Sequence, residues 1–178
     1  MIIGLMGYKQ VGKSTAAKYL EEKYGFVRIN FKDALIEELK SGFPDLLALF
    51  SEHYGLTIDE LFEQKPPMMR ALMQNFGTEV RRADHKHYWI QKWAVKVLDA
   101  VGKKRDIVVD DVRFRNEGQA ITAQRGVLIR LTRPDVETGG THSSETEMES
   151  IVANFTIPSL KGEHEVLYHE IDKVMKSI

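Results

Sequence analysis

Residues 1–24 read MIIGLMGYKQVGKSTAAKYLEEKY, and they decide the fold. The apolar run at residues 1–6 predicts a short buried strand. Residues 7–14 fit the pattern G-x-x-x-x-G-K-[ST], and residues 15–22 predict a helix. A strand, a glycine-containing loop and a helix in this order are the context in which the pattern forms a phosphate-binding P-loop.

Each fixed residue of the loop has a chemical reason. Gly7 and Gly12 allow backbone torsions that a side chain would forbid, so that successive N–H groups can surround a polyphosphate at the positive end of the helix dipole. Lys13 can reach the β- and γ-phosphates, and the Ser14 hydroxyl can ligate Mg²⁺. The alternative is a chance match, but the context favours binding of ATP or GTP. The predicted nucleotide contacts are Gly7, Lys9, Gln10, Val11, Gly12, Lys13, Ser14 and Thr15.

Length and composition exclude several classes of protein. The 178 residues suit one domain with a small insertion, and 43% hydrophobic residues are enough for a core. A net charge of −1 predicts no nucleic-acid partner. The absence of cysteine excludes disulfides, thiolate catalysis and Cys-ligated zinc. No apolar run approaches the roughly 20 residues of a membrane span, and the N-terminus reads as a strand rather than a signal peptide. We therefore expect a soluble cytoplasmic protein with no membrane partner.

Strands alternate with helices along the rest of the chain. We predict further strands at residues 26–31, 106–114 with the outgoing loop, 127–132 and 155–157. Predicted helices cover residues 33–40, 45–54, a short segment after a capping box at Thr57 and Glu60, 68–82, 88–101, 116–125, 145–152 and 163–176. Asp33 is the expected N-cap of the first of these. The alternation predicts an α/β fold of three layers, with a parallel five-stranded sheet covered by helices on both faces. The region 33–83 is all helix and is predicted to be an insertion.

Two acidic residues, Asp110 and Asp111, end the apolar third strand. Ligands of parallel sheets bind at the carboxyl edge, and in a P-loop fold an acid there holds Mg²⁺ directly or through water. The alternative is a solvated turn or a helix cap. We expect at least one of the pair to serve the metal or the phosphoryl acceptor.

Arginines occur in three places around the expected phosphate site. Guanidinium groups suit phosphates because they donate two parallel hydrogen bonds. Any single arginine is more often a surface charge than a phosphate ligand. The occurrence of arginines in all three places is therefore better evidence for phosphate binding than any one of them. The arginines concerned are Arg70, Arg81, Arg82, Arg113, Arg115, Arg130 and Arg133.

A polar loop covers residues 135–144, and residues 142–145 within and after it read His-Ser-Ser-Glu. His142 and Glu145 could contact phosphate or take part in catalysis. Equally, Ser144 and Glu145 could simply begin a helix, and the sequence leaves both readings open.

Four segments together resemble the deoxynucleoside monophosphate kinases of bacteriophages, within the wider nucleoside monophosphate kinase group of P-loop proteins. The segments are residues 7–15, residues 73–82 with Tyr88 and Trp89, residues 108–117, and residues 142–145. The resemblance implies transfer of the ATP γ-phosphoryl group to a dNMP, giving dNDP and ADP for dNTP synthesis. It implies a single P-loop kinase domain over residues 1–178, with an acceptor-binding region at about 33–83 and a lid at about 135–150.

The resemblance also implies roles for individual residues. Catalysis would involve Lys13, Asp111, Arg113, Arg130 and Arg133. Acceptor contacts would come from Asp33, Arg70, Gln74, Thr78, Arg81, Arg113, His142 and Glu145. The donor adenine would pack against the turn at residues 158–162, where we expect Lys161 and Gly162. Mg²⁺ would be held by Ser14 with Asp110 or Asp111.

Two other readings remain at this point. One is a P-loop kinase for another small acceptor, such as dephospho-coenzyme A. The other is a regulatory NTPase that hydrolyses slowly and signals to a partner. The sequence leaves open which bases are accepted, how deoxyribose is distinguished from ribose, and the oligomeric state, with a homodimer among the options. A phage source is expected from the resemblance alone.

Overall fold

The computed structural model describes residues 1–135 and 147–178. The chain forms two compact units: the first comprises residues 1–30 and 94–178, and the second residues 31–93. The strands are β1 Ile2–Met6, β2 Val27–Arg28, β3 Ile107–Val109, β4 Val127–Thr132 and β5 Phe155–Pro158. The helices are α1 Lys13–Tyr24, α2 Phe31–Gly42, α3 Pro44–Tyr54, α4 Ile58–Gln64, α5 Pro67–Gln74, a π-helix Asn75–Arg82, α6 Tyr88–Gly102, α7 Arg115–Ala123 and α8 His164–Ser177.

The strands of the first unit form one parallel sheet in the order β2-β3-β1-β4-β5. Ile3 of β1 pairs with Val108 of β3 on one side and with Val127 of β4 on the other. All four strand pairs in this sheet are parallel. The predicted five-stranded parallel sheet is therefore confirmed. Because β1 lies at the centre, the loop that follows it leaves from the middle of the carboxyl edge.

Helices cover both faces of the sheet, as predicted. Ile3 and Leu5 of β1 point into a core with residues of α1 and α8, including Leu20 and Ile171. On the other face, Gly4 approaches Ile121 of α7 so closely that an added Cβ would lie 2.7 Å from its Cδ1 atom. This alternation of neighbouring residues between two cores is the period-two pattern of a fully buried strand.

The second unit is helical, and its core is built from α2 to α6. Thr57 and Glu60 form the predicted capping box at the start of α4. Gly55 ends α3 in the left-handed conformation, with φ 64°. The predicted helix over residues 68–82 is present, but its second half is a π-helix. The acceptor-region bounds of 33–83 stay a prediction.

Three predicted boundaries were wrong for physical reasons. β2 spans only Val27–Arg28 rather than residues 26–31, because Phe31 already begins α2. Asp33 is consequently not the N-cap but lies in the first turn of α2. There the negative charge of a carboxylate interacts favourably with the positive end of the helix dipole. α7 ends at Ala123 rather than Arg125, because Arg125 adopts a positive φ of 57°.

Part of the predicted lid falls on residues 136–146, which lie outside the described residues. After them, residues 147–149 are helical and Ser150 is a turn, so the helix predicted at 145–152 is shorter where the chain is described. Within residues 1–135 and 147–178, no helix is both long enough and apolar enough to cross a membrane.

Candidate functional site: a P-loop and its surrounding side chains

The loop between β1 and α1 has a backbone that requires glycine at two positions. Gly7 has φ 140°, and a Cβ added there would lie 2.5 Å from the carbonyl oxygen of Leu131. Gly12 has φ 95°, and its added Cβ would lie 2.8 Å from Ser159 Oγ. Both positions combine a positive φ with a close neighbour, so any side chain would distort the loop. The two glycines of the motif are therefore explained by the fold itself.

Lys13 is held inside this loop. Its Nζ atom donates hydrogen bonds to the carbonyl oxygens of Gly7 and Tyr8, each at 2.7 Å. Ala16 N donates to Gly12 O at 2.9 Å, which starts α1 directly behind the loop. Val11 is buried in the core below. The predicted contacts from Gly7 to Thr15 thus lie in one loop and the first turn of one helix. A loop with a lysine at a helix N-terminus fits a polyphosphate.

Arg133 lies beside the loop, and its role in neutralising the transferring phosphate stays a prediction. Its Nε atom donates to Ser159 O at 3.1 Å and its Nη2 atom to Ser159 Oγ at 3.2 Å. The same Nη2 atom lies 3.7 Å from the position of a Cβ on Gly12. The sequence analysis missed Ser159, which is 1% exposed. Its place directly after β5, at the carboxyl edge of the sheet, is the signal that could have found it.

Arg130 has a different environment from Arg133. Its Nη2 atom donates to the main-chain carbonyls of Ile151 at 2.7 Å and Met148 at 3.1 Å. Burial lowers the pKa of this guanidinium from its usual value. These contacts fasten the chain segment 148–151, which favours a structural role. The catalytic role implied for Arg130 stays a prediction.

Asp110 is buried at the end of β3. Its carboxylate accepts from Asn30 Nδ2 at 2.7 Å and from Arg28 Nη1 at 3.2 Å. The Asp110 backbone N–H donates to Asn30 Oδ1 at 2.8 Å. Asp111 is buried as well, at 9% exposure. Asn30 was missed by the sequence analysis, although it follows β2 at the same edge. Two carboxylates and the Ser14 hydroxyl are hard oxygen donors, and this donor chemistry fits Mg²⁺.

Arg113 is exposed while the backbone around it is fixed. The N–H groups of Arg113 and Phe114 donate to Glu117 Oε2 at 2.8 and 3.0 Å. Glu117 is 2% exposed. It lies within one of the segments that carried the resemblance, but no role was predicted for it.

In the second unit, the predicted acceptor residue Arg81 belongs to a cluster of side chains that we call the Arg81 group: Glu38, Phe76, Arg81, Tyr88 and Lys92. Arg81 Nε donates to Glu38 Oε2 at 3.2 Å. Its guanidinium carbon lies 5.0 Å from the ring centre of Phe76 and 5.2 Å from that of Tyr88. The Tyr88 hydroxyl donates to Glu38, and this hydrogen bond raises the pKa of Tyr88. A planar cation held by a carboxylate and two rings can receive a phosphate.

Four more of the predicted acceptor residues lie on three helices of the same unit, and the first, Asp33, is in the first turn of α2. Thr78 is on the π-helix, and Gln74 and Arg70 are on α5. Trp89 Nε1 donates to Gly77 O at 2.8 Å, which occupies a carbonyl of the π-helix. π-helices are rare and are often found at functional sites. The structure places these residues without testing their contacts to a nucleotide, so their roles stay predictions.

Two groups of predicted residues can be placed only in part. Lys161 and Gly162 form an exposed turn in which Gly162 has φ 80°, and their contact with adenine stays a prediction. His142 and Glu145 lie outside the described residues.

The sequence has relatives of named activity. Residues 50–169 match the family described as deoxynucleotide monophosphate kinase. A protein from Acanthamoeba polyphaga mimivirus, assigned as a deoxynucleotide monophosphate kinase, is 34% identical over 167 residues. The match covers 85% of this chain and 83% of that relative.

Solved structures share the fold at lower identity. TT1252 from Thermus thermophilus matches with a TM-score of 0.53 at 14% identity, covering 100% of this chain and 97% of that one. A protein from Chloroflexus aurantiacus assigned as a kinase matches with a TM-score of 0.51 at 11% identity, covering 99% and 96%. These likenesses support the fold and nothing finer. With the family match and the viral relative, they lead to one conclusion: the chain belongs to the deoxynucleotide monophosphate kinase family and has its P-loop fold.

Proposed function

We propose that this enzyme transfers the γ-phosphoryl group of ATP to a deoxynucleoside monophosphate, giving ADP and a dNDP for dNTP synthesis. Family membership supplies the reaction class and favours a dNMP acceptor over dephospho-coenzyme A or a regulatory hydrolysis. The observation that supports binding of the donor phosphates is the loop of Gly7 and Gly12, in which Lys13 donates hydrogen bonds to main-chain carbonyls. Use of ATP as the donor, the cytoplasmic location and the phage source stay predictions.

The donor phosphates would bind to the P-loop. Phosphoryl transfer passes through a loose transition state, so the enzyme contributes mainly positioning and neutralisation of charge. Backbone N–H groups of the loop and the start of α1 would orient the β- and γ-phosphates. Lys13 would exchange its two loop carbonyls for phosphate oxygens. Arg133, fixed by Ser159 beside Gly12, is the second cation that we assign to the transferring group.

Mg²⁺ would be held by the Ser14 hydroxyl together with Asp110 or Asp111, and when bound it would neutralise charge on the phosphate oxygens. Asp110 has Asn30 and Arg28 as partners on its two oxygens, which orient the carboxylate. We therefore expect that, if Asp110 serves Mg²⁺, it does so with a carboxylate whose orientation is already fixed by these two partners.

The acceptor would bind through side chains of the second unit, with Arg81 contacting its phosphate. The rings of Phe76 and Tyr88, 5.0 and 5.2 Å from the Arg81 guanidinium carbon, would help to keep this planar group in place. Gln74 and Thr78 carry the amide and hydroxyl groups that can pair with a base. The acceptor phosphate oxygen is already an anion, so no side chain need act as a strong base.

The test is ADP formation from Mg-ATP with dAMP, dGMP, dCMP, dTMP and the four ribonucleotides added one at a time. Strong stimulation by at least one dNMP supports the proposal and identifies the acceptor base. Equal stimulation by the matching ribonucleotide would remove the deoxy preference. Stimulation by none of them, with folded protein, would overturn the proposal, and dephospho-coenzyme A would be the next acceptor to try.

A further inference from the structure

Glu117 makes an unusual pair of contacts for a carboxylate near the start of a helix. It is the third residue of α7 and is 2% exposed. Its Oε2 atom accepts from the backbone N–H of Phe114, the N-cap residue, at 3.0 Å, and from that of Arg113 at 2.8 Å. The first of these is the ordinary return contact of a helix start. The second reaches one residue further back, into the loop.

The loop that Glu117 holds carries three of the residues that we assign to phosphate and metal chemistry. It runs from Asp110 and Asp111, at the end of β3, to Arg113 and then to α7. Val112 within it is fully buried, whereas Arg113 is exposed. The loop is thus anchored by Val112 before Arg113 and by Glu117 behind it. A fixed backbone with an exposed guanidinium leaves only the side-chain torsions of Arg113 to be ordered on binding a phosphate.

The helix that carries Glu117 is itself seated closely on the sheet. A Cβ added to the neighbouring Gly118 would lie 3.1 Å from Ile151 Cγ2 and 3.4 Å from Leu128 Cδ1. Ile121, one turn along, is fully buried. α7 therefore has little room to shift, and the Glu117 carboxylate is a fixed point for the backbone of Arg113.

We propose that Glu117 is a positioning residue that sets the place of the Arg113 guanidinium in phosphoryl transfer. The inference rests on the proposed function, because it needs Arg113 to contact phosphate. Removing the carboxylate would leave two N–H groups without this acceptor and let the Arg113 backbone move. A displacement of about 1 Å at a catalytic group can cost about a hundredfold in rate.

The experiment measures kcat and KM for ATP and for the dNMP that stimulates most strongly. The variants are Glu117→Ala, Glu117→Gln, Arg113→Ala and the double variant Glu117→Ala with Arg113→Ala. Glu117→Ala should lower kcat/KM for the dNMP by about tenfold or more and change KM for ATP by less than about twofold. Glu117→Gln keeps an acceptor oxygen in place and should retain most of the activity. In the Arg113→Ala background, Glu117→Ala should have little further effect, because both changes remove the same interaction.

A matched control is Glu60→Ala in α4. Glu60 also accepts a backbone N–H at a helix start, that of Thr57 at 2.8 Å, but we assign it no part in catalysis. It should lower the melting temperature and leave the kinetic constants unchanged. Should Glu117→Ala not fold, Glu117→Asp takes its place, because it keeps the charge and withdraws the oxygen by one methylene.

The outcomes separate this inference from the proposed function. A wild-type enzyme that no dNMP stimulates would remove the proposed function and the inference with it. A dNMP-dependent enzyme in which Arg113→Ala is impaired and Glu117→Ala is not would overturn the inference alone. Effects of the two changes that multiply in the double variant, or a Glu117→Ala variant that loses only thermal stability, would assign Glu117 a purely structural role.

Discussion

The P-loop and the Arg81 group are two candidate phosphate sites made from different parts of the chain. In the P-loop, the main-chain conformation sets the shape of the site, and its two glycines leave no space for a side chain at their positions. In the Arg81 group, side chains hold the guanidinium: the Glu38 carboxylate and the rings of Phe76 and Tyr88. The first site should therefore be sensitive to a side chain added at either glycine as well as to loss of Lys13, and the second to the removal of a partner of Arg81.

The two sites also differ in how far apart their parts lie in the sequence. The P-loop is one short continuous segment, whereas Glu38 lies 43 residues before Arg81 and 50 before Tyr88. A local segment can be recognised as a motif, but a cluster of distant side chains depends on the packing of several helices. The following substitutions test whether the two sites respond as this contrast predicts.

The largest effect is expected from Lys13→Ala. Losing the cation that would contact the β- and γ-phosphates should reduce ADP formation at least about a thousandfold. The fold should survive, because the side chain contacts loop carbonyls rather than the core. Lys18→Ala is the matched control, since Lys18 is an exposed lysine of the same helix paired with Glu22. Near-normal turnover of the Lys13 variant would remove the P-loop from the mechanism.

Gly12→Ala is expected to have the next largest effect. The alanine would be forced into φ 95°, with its Cβ 2.8 Å from Ser159 Oγ. Such backbone strain costs about 1–3 kcal/mol, and the steric contact should also raise KM for ATP. Gly25→Ala separates the two causes, because Gly25 has φ 73° and the described residues place no atom within 4 Å of its added Cβ. Both variants should lose thermal stability, and only Gly12→Ala should lose ATP affinity. If the ATP KM values of the two variants agreed, the contact with Ser159 would not matter.

Glu38→Gln should have a moderate effect confined to the acceptor. The substitution keeps the shape of the side chain and removes the charge that holds Arg81. Because charge-assisted hydrogen bonds are about twice as strong as neutral ones, we expect KM for the dNMP to rise roughly tenfold or less. KM for ATP should stay unchanged. Glu63→Gln, at an exposed position of α4, is the control for charge alone. A rise in both KM values for the Glu38 variant would contradict a role specific to the acceptor.

Much of the fold could be predicted because its signals are local. The apolar run of β1, the glycine loop and the capping box at Thr57 each depend on residues that are close in sequence. β2 shows the limit of such local signals: residues 26–31 alternate as a strand should, yet the strand comprises only Val27 and Arg28. What ends the strand is the start of α2 at Phe31 and a tertiary contact of Asn30, and neither is visible in the alternation.

The site residues that the sequence analysis missed fall into two kinds. Asn30 and Ser159 have partners that are distant in sequence, and Glu117 contacts backbone groups. Asn30 contacts Asp110, 80 residues later, and Ser159 contacts Arg133, 26 residues earlier. Ser159 directly follows a strand at the carboxyl edge, so the rule that pointed to Asp110 could have pointed to it. Asn30 lies inside the strand predicted at residues 26–31, so the rule could not have found it before the true end of β2 was known. Glu117 accepts hydrogen bonds from backbone N–H groups, and a pattern of residue types does not directly indicate such contacts.

The smallest effect is expected where side chains hold the P-loop helix rather than the loop. Asp172 of α8 accepts hydrogen bonds from three residues of α1: Lys23 at 2.6 Å, Tyr24 at 2.8 Å and Tyr19 at 2.9 Å. The hydrogen bond from Lys23 is the main cause that lowers the pKa of Asp172 from 3.8 to about 2. A carboxylate with a lowered pKa stabilises the fold above its unfolded pKa, and this stabilisation is lost as the pH falls through the folded value. The pH window of the loss is therefore about 4 to 2.

Asp172→Asn tests this in thermal unfolding at pH 7, 5, 4 and 3. Because the pair is partly exposed, the variant should melt roughly 1–4 °C below the wild type at pH 7. The difference should be the same at pH 5 and should shrink at pH 4 and 3, since the wild type then loses the charge that the variant lacks. Turnover per folded molecule should be unchanged, because Asp172 contacts α1 by its last two turns and not by the loop. A melting difference that grows towards low pH would contradict the lowered pKa of Asp172. A loss of turnover would mean that the Asp172 side chain, acting through α1, also shapes the P-loop. The contrast between a main-chain site and a side-chain site would then no longer hold.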